Sequence, residues 1–186
     1  MLKKLLEYDR DVLIFLNNLG VEDHDGFWKI ITEPLTWIPF YIFIIILISL
    51  TYKKARLYKT LFLSLAVALT TSGFTHLVKT TIGRIRPTGN DEFSEALRII
   101  IEPTSYSFFS GHAANSFAVC TFFVLILRHK YKWIYICYLW PILFSASRLY
   151  LGVHYPSDIL VGALVGVLMA LIFNKIHQKW VLENPA

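Results

Sequence analysis

The sequence predicts an all-α fold: a polytopic transmembrane helical bundle of five to six membrane helices with an N-terminal amphipathic helix. Three observations carry this. Hydrophobic residues make up 55% of the 186, and the mean hydropathy is +0.53. Charged residues fall to 17%, against roughly 25% in soluble domains. The apolar residues come in blocks, and the basic residues crowd the short gaps between blocks rather than one polar face. A net charge of +5 distributed in this way sets membrane topology and argues against a nucleic-acid partner.

Residues 2–19 set Leu2, Leu5, Leu6, Leu13, Phe15 and Leu16 among charges, the pattern of an interfacial or partly inserted helix. Glu7, Asp9, Arg10 and Asp11 interrupt any apolar core there, so the N-terminus does not read as a cleavable signal. Five stronger segments follow at 35–52, 57–79, 112–127, 133–149 and 157–174. Most approach the ~20 residues that cross ~30 Å of hydrocarbon, where a helix is needed to satisfy the backbone. The third and fourth are short and are expected to extend into their flanks. If 2–19 also spans, the count is six. Cys120 and Cys137 lie inside apolar segments and predict no disulfide framework. The chain reads as one domain, 1–186, in which 1–34 is the N-terminal amphipathic segment and 80–111 an extracytoplasmic loop. Within that loop, 92–101 is expected to form a short helix.

The gaps give the orientation. Lys53, Lys54, Arg56 and Lys59 crowd one loop, Arg128, Lys130 and Lys132 another, and Lys175 and Lys179 follow the last segment. The positive-inside rule puts all three in the cytoplasm and turns 80–111 and 150–156 outward.

Three polar blocks fall at those outward ends: Lys79 with Arg86-Pro87, then Ser110-Gly111-His112, then Ser147-Arg148-x5-His154-x3-Asp158. Singly, each has a plain explanation. Lys79 and Arg148 could snorkel, and Ser157-Asp158 after Pro156 could simply cap a helix. Gathered at one membrane face, Lys79, Arg86 and Arg148 would repel one another unless an anion lies between them. Phosphate suits them, because Arg offers a planar fork and Lys a mobile point charge. Backbone N–H groups at Gly111, opening a helix, add donors. Asp158 is four residues beyond His154, close enough to hold one ring nitrogen and free the other for attack on phosphorus. His112, when protonated, could donate to the leaving oxygen.

These blocks resemble the signature motifs of the type 2 phosphatidic acid phosphatase superfamily, and the hydrophobic layout is similar to its membrane-bound lipid phosphatase branch. In one place the chain departs: the second block usually opens with proline, and here Phe109 precedes Ser110. The resemblance implies a phosphatase without metal or other cofactor, working through a phosphohistidine. It implies His154 as nucleophile, Asp158 as its orienter and His112 as general acid. Lys79, Arg86, Ser110, Gly111 and Arg148 would bind the phosphate.

The expected partners are the bilayer and a lipid phosphate or diphosphate within it; the sequence does not fix an oligomeric state. The expected place is a bacterial cytoplasmic membrane, with the site on the extracytoplasmic side. Undecaprenyl diphosphate is the preferred substrate, because recycling that carrier is a general need at this face. Phosphatidylglycerol phosphate and a lipid A phosphate are the alternatives. Two other classes compete: a metal-dependent hydrolase using His76, His112, His154 and Asp158, and a non-enzymatic lipid-binding or transport protein.

Overall fold

The computed structural model describes residues 2–183. The main helices are α1 (Leu2–Asn18), α2 (Asp25–Thr32), α3 (Ile38–Thr51), α4 (Lys54–Ile82), α5 (Gly111–Leu127), α6 (Leu139–Tyr150) and α7 (Pro156–His177), and no strand occurs among the described residues. Pro34–Thr51, Lys54–Gly89 and Pro156–Leu182 are each long and apolar enough to cross a membrane. The two short segments of the sequence remain short as α-helices. α5 has 17 residues, about 25 Å. α6 has only 12, about 18 Å, but a seven-residue 3-10 stretch at Lys132–Tyr138 leads into it and adds roughly 14 Å. The chain is an integral membrane protein.

α1 lies across one end of the bundle. Near its start, Asp9 accepts the Ser157 backbone N–H at 2.8 Å. Near its end, the Asn17 side chain donates to the Tyr150 carbonyl at 2.7 Å and accepts from the Arg98 N–H at 2.7 Å. Ser157, Tyr150 and Arg98 all belong to that same end, so α1 packs against that end of the bundle. The expected helix over 92–101 does not form. Its only helical part is a 3-10 turn at Ser94–Ala96, because the segment is tied outward to α1 and α2 instead: Asn18 of α1 donates to the Ala96 carbonyl, and Arg98 pairs with Asp25 of α2.

α5 is the central helix. Ala118, Cys120, Phe122 and Leu127 are all 0% exposed, whereas α4 and α7 turn Leu65, Leu69, Leu164 and Leu168 outward, as a lipid-facing surface requires. α7 meets α5 along a seam of small residues. A Cβ at Gly162 would stand 2.6 Å from the Ser110 carbonyl oxygen, and one at Gly166 would stand 2.3 Å from the Ala114 carbonyl oxygen. Close backbone approach of this kind is how membrane helices gain dispersion energy without a hydrophobic drive. Gly166→Leu is therefore expected to force the helices apart at a cost of about 1–3 kcal/mol. A thermal melt in detergent should show the loss, while Leu164→Ala on the outer face should leave the melting temperature nearly unchanged.

The cationic loops meet at the end opposite α1. Lys130 donates to the Leu50 carbonyl at 2.7 Å, and the Lys59 ammonium lies 5.5 Å from the Trp180 ring centroid. The three polar blocks sit at the α1 end. One direction of α4 thus separates the two kinds of charge, with Lys54 at its start and Lys79 near its finish.

Candidate active site

Four helix ends build the site. α4 delivers Lys79 and stops at Gly83, whose φ of +64° suits glycine and turns the chain away. α5 starts at Gly111, with the Ser110 hydroxyl accepting the Ala113 N–H. α6 ends in Arg148, and a buried turn at 151–155 carries His154 into α7, which opens on Pro156 and Asp158. Leu151 and Val153 are both 0% exposed and pin that turn.

His154 is 1% exposed and Asp158 0%. The His154 Nδ1 faces Asp158 Oδ2 and Ser107 Oγ, each at 3.3 Å, and its Nε2 faces an Arg86 guanidinium nitrogen at 3.2 Å. Arginine only donates, so Nε2 is the acceptor and the proton belongs on Nδ1, toward the carboxylate. Asp158 is held on both oxygens. Oδ2 accepts the Tyr155 N–H at 3.1 Å and the Ser107 hydroxyl; Oδ1 accepts Arg84 at 2.7 Å.

The cations fall into two sets. Arg84 bridges Asp158 and Asp9, and Arg98 pairs with Asp25. Lys79, Arg86 and Arg148 have no carboxylate partner among the described residues; their partners are neutral. Lys79 donates to the carbonyls of Tyr106 and Ser107. Arg86 donates to the Ser105 carbonyl at 2.6 Å, the Ser105 hydroxyl at 2.9 Å and the Val153 carbonyl at 2.8 Å. Arg148 donates to the Thr32 hydroxyl, while its Nε has no partner among the described residues. Arg86 is 7% exposed and Arg148 4%. Buried cations without counter-charge are costly, and an anion is the group that would relieve all three.

His112 packs against Phe144 with ring centroids 4.7 Å apart and the rings tilted by 34°, and it is hydrogen-bonded to the Thr32 backbone. It makes no hydrogen bond to His154 among the described residues. It stands at the wall between two cavities. One, of about 940 Å³, runs along α4 and α5; the other, of about 380 Å³, is bounded by Thr32, Glu102 and Arg148. His76, His112, His154 and Asp158 form no ligand cluster among the described residues; His76 lines the larger cavity, away from the His154–Asp158 pair.

A model of the PAP2 superfamily matches residues 57–182, which include every block of the site. The chain belongs to the PAP2 superfamily. It is 30% identical over 183 residues to a lipid A 4'-phosphatase of Bacteroides thetaiotaomicron, covering 96% of this chain and 81% of that one. It is 28% identical to an undecaprenyl-diphosphatase of Sulfolobus acidocaldarius, over 94% of this chain and 76% of the relative. Its fold is similar to a solved transmembrane PAP2 type phosphatidylglycerolphosphate phosphatase of Bacillus subtilis, with a TM-score of 0.73 at 21% identity, covering 95% of this chain and 88% of that one. The protein is a membrane lipid phosphatase of the PAP2 superfamily, a phosphoric ester hydrolase.

In this PAP2 phosphatase the eight residues singled out in the sequence lie at one end of the bundle. The unusual Phe109 is 2% exposed and packs on Phe74, 6.1 Å between centroids, so apolar packing holds the loop where a proline would stiffen it. Glu102 borders the smaller cavity, and Tyr106 offers Lys79 only its carbonyl. The Tyr150 hydroxyl is taken by Val21 and Asp25, so it fastens the N-terminal segment.

Sequence reasoning missed Arg84, Ser107 and Asp9. The signal was faint: Arg84 stands two residues before Arg86, and Asp9 is one carboxylate among several in α1. Arg84 also lies 3.8 Å from the centre of the Tyr155 ring and donates to Ser157 at 2.9 Å. It thus ties α1 to the carboxylate behind His154. Arg84→Gln should lower kcat about 10- to 100-fold with little change in KM, because it loosens the carboxylate paired with His154. Arg84→Lys should recover part of kcat. A rise in KM alone, measured on one soluble short-chain lipid phosphate, would contradict this positioning role.

Proposed function

We propose that the protein hydrolyses a lipid phosphate without a metal ion, through a phosphohistidine on His154, at the outer face of a bacterial cytoplasmic membrane. The observation that carries the reading is a set of three cations, the buried Arg86 and Arg148 and the half-buried Lys79, that lack carboxylate partners among the described residues and stand beside a His–Asp pair. Arg86 faces the His154 Nε2 lone pair, and a phosphate oxygen that takes over this guanidinium brings phosphorus to the nucleophile. Nε2 attacks phosphorus, the bond from phosphorus to the lipid oxygen breaks, and His112 gives that oxygen its proton. Water then attacks, the P–N bond breaks, and His112 takes a proton from the water as orthophosphate leaves. The cations and the Gly111 N–H opening α5 hold the equatorial oxygens, where charge stabilises the transition state.

The relative matched over 96% of the chain carries the name lipid A 4'-phosphatase. That moves our preference from undecaprenyl diphosphate to a phosphate on an acylated sugar. Phosphate release from a panel of lipid phosphates, in detergent and with chelator present, tests the reading. Release in chelator and inhibition by vanadate, which adopts a five-coordinate form, are expected. A strict requirement for a divalent ion would overturn the metal-independent route.

The sidedness rests on the loops at 53–59 and 128–132. With Cys120 and Cys137 replaced, an impermeant thiol reagent on intact cells should label Asn90→Cys and spare Lys130→Cys. Labelling in the reverse pattern would place the site in the cytoplasm.

A further inference from the structure

The larger cavity descends from Lys79 and His112 between the helices as far as Leu61 and Phe123. Its floor is apolar, as a groove for a lipid tail must be. Its upper wall is not. α4 contributes Ser72 and His76, and α5 contributes Asn115. The Asn115 amide donates to the Ser72 hydroxyl at 2.6 Å, and its Oδ1 has no hydrogen-bond partner among the described residues. The His76 ring makes no hydrogen bond among the described residues, although it is exposed in the wall of this cavity.

Polar side chains on a membrane-spanning surface are costly where Ala or Leu would serve. They are tolerable where something polar occupies the space they line. Their depth says what that is. Asn115 is three residues beyond His112, about 4–5 Å along the helix, and Ser72 is seven before Lys79, about 10 Å. The polar step therefore begins roughly one helical turn below the phosphate cations. A polyprenyl phosphate has only hydrocarbon at that depth. A phosphate on an acylated sugar or on glycerol has hydroxyl, ester or amide groups there.

We infer that Asn115, Ser72 and His76 form a second subsite that hydrogen-bonds the polar carrier between phosphate and tail. It selects acylated sugar or glycerol phosphates over polyprenyl phosphates. This rests on the phosphatase reading above and adds a specificity element to it. Asn115 Oδ1 accepts from a hydroxyl or amide N–H of the carrier, and His76 donates to or accepts from its neighbour.

The test is a ratio. kcat/KM is measured in mixed micelles for a diacylated glucosamine phosphate, phosphatidic acid and a polyprenyl monophosphate, with the native protein, Asn115→Leu and Ser72→Ala. The native protein should favour the polar carriers. In Asn115→Leu the ratio of polar carrier to polyprenyl should fall about 10-fold or more, because a site built to hydrogen-bond one substrate loses that discrimination with its partner. Ser72→Ala should move it the same way by less, and it guards against a folding defect in the first variant. The glucosamine and glycerol arms show which carrier fits better. A ratio unchanged in both variants, or a native preference for the polyprenyl phosphate, would overturn the subsite and leave the phosphatase reading intact. Absence of release from every lipid by the native protein would overturn that reading itself.

Discussion

Replacing His154 with alanine is expected to abolish turnover, by about 10,000-fold or more, because on the proposed route it is the group that attacks phosphorus. Its burial is the main reason the imidazole is pushed from the ordinary 6.5 down to about 3; the Asp158 bond opposes this and Arg86 adds to it. The ring is therefore neutral in the folded protein above about pH 3, while the unfolded chain takes the proton near 6.5. The sign follows. This contribution to stability is complete above 6.5 and is lost as the pH falls from 6.5 toward 3. His154, the proposed nucleophile, does not titrate in that window, so acid loss of kcat/KM there should follow unfolding or protonation of the substrate. Melting temperature and kcat/KM measured across the same pH range separate these. An acid limb at 6.5 in fully folded protein that stays in place when the substrate phosphate's own pKa is changed would mean that His154 is not held neutral.

Arg148→Ala is the second large effect. The guanidinium is buried, bonded only to the neutral Thr32 hydroxyl, and its Nε lacks a partner among the described residues. As a phosphate ligand it should be worth about 100- to 1,000-fold in kcat. The same change should not destabilise the protein free of substrate, because it removes a buried charge that nothing neutralises. Lower activity with an equal or higher melting temperature is the expected pair of results. Lower stability together with lower activity would mean that Arg148 is a structural residue whose partner is Thr32. Arg148→Lys should recover little, since a point charge does not replace a planar fork.

Much of this was legible in the sequence. The apolar blocks gave the membrane helices, since bilayer thickness constrains their length and composition strongly. The eight candidate site residues could be singled out because six of them are ionisable groups near membrane depth, where they have few plain reasons to be. What the sequence did not carry was tertiary pairing. The 92–101 segment looked helical by composition, but its bonds to Asn17, Asn18 and Asp25 hold it extended. Arg84 and Asp9 are 75 residues apart, and no local pattern announces that a cap helix will deliver one to the other. Ser107 reads as a loop serine until the fold sets it against Asp158 and His154. The polar step at Ser72 and Asn115 needs two helices in register before it can be seen at all.

The most direct measurement is to trap the covalent intermediate. Native protein mixed with lipid substrate carrying labelled phosphate is quenched within one turnover in alkali, where a phosphoramidate survives, and then digested. Label should appear on the peptide that contains His154, disappear on acid treatment, and be absent from His154→Ala. Label on any other residue, or turnover at the native rate with no labelled protein under single-turnover conditions, would contradict the phosphohistidine route.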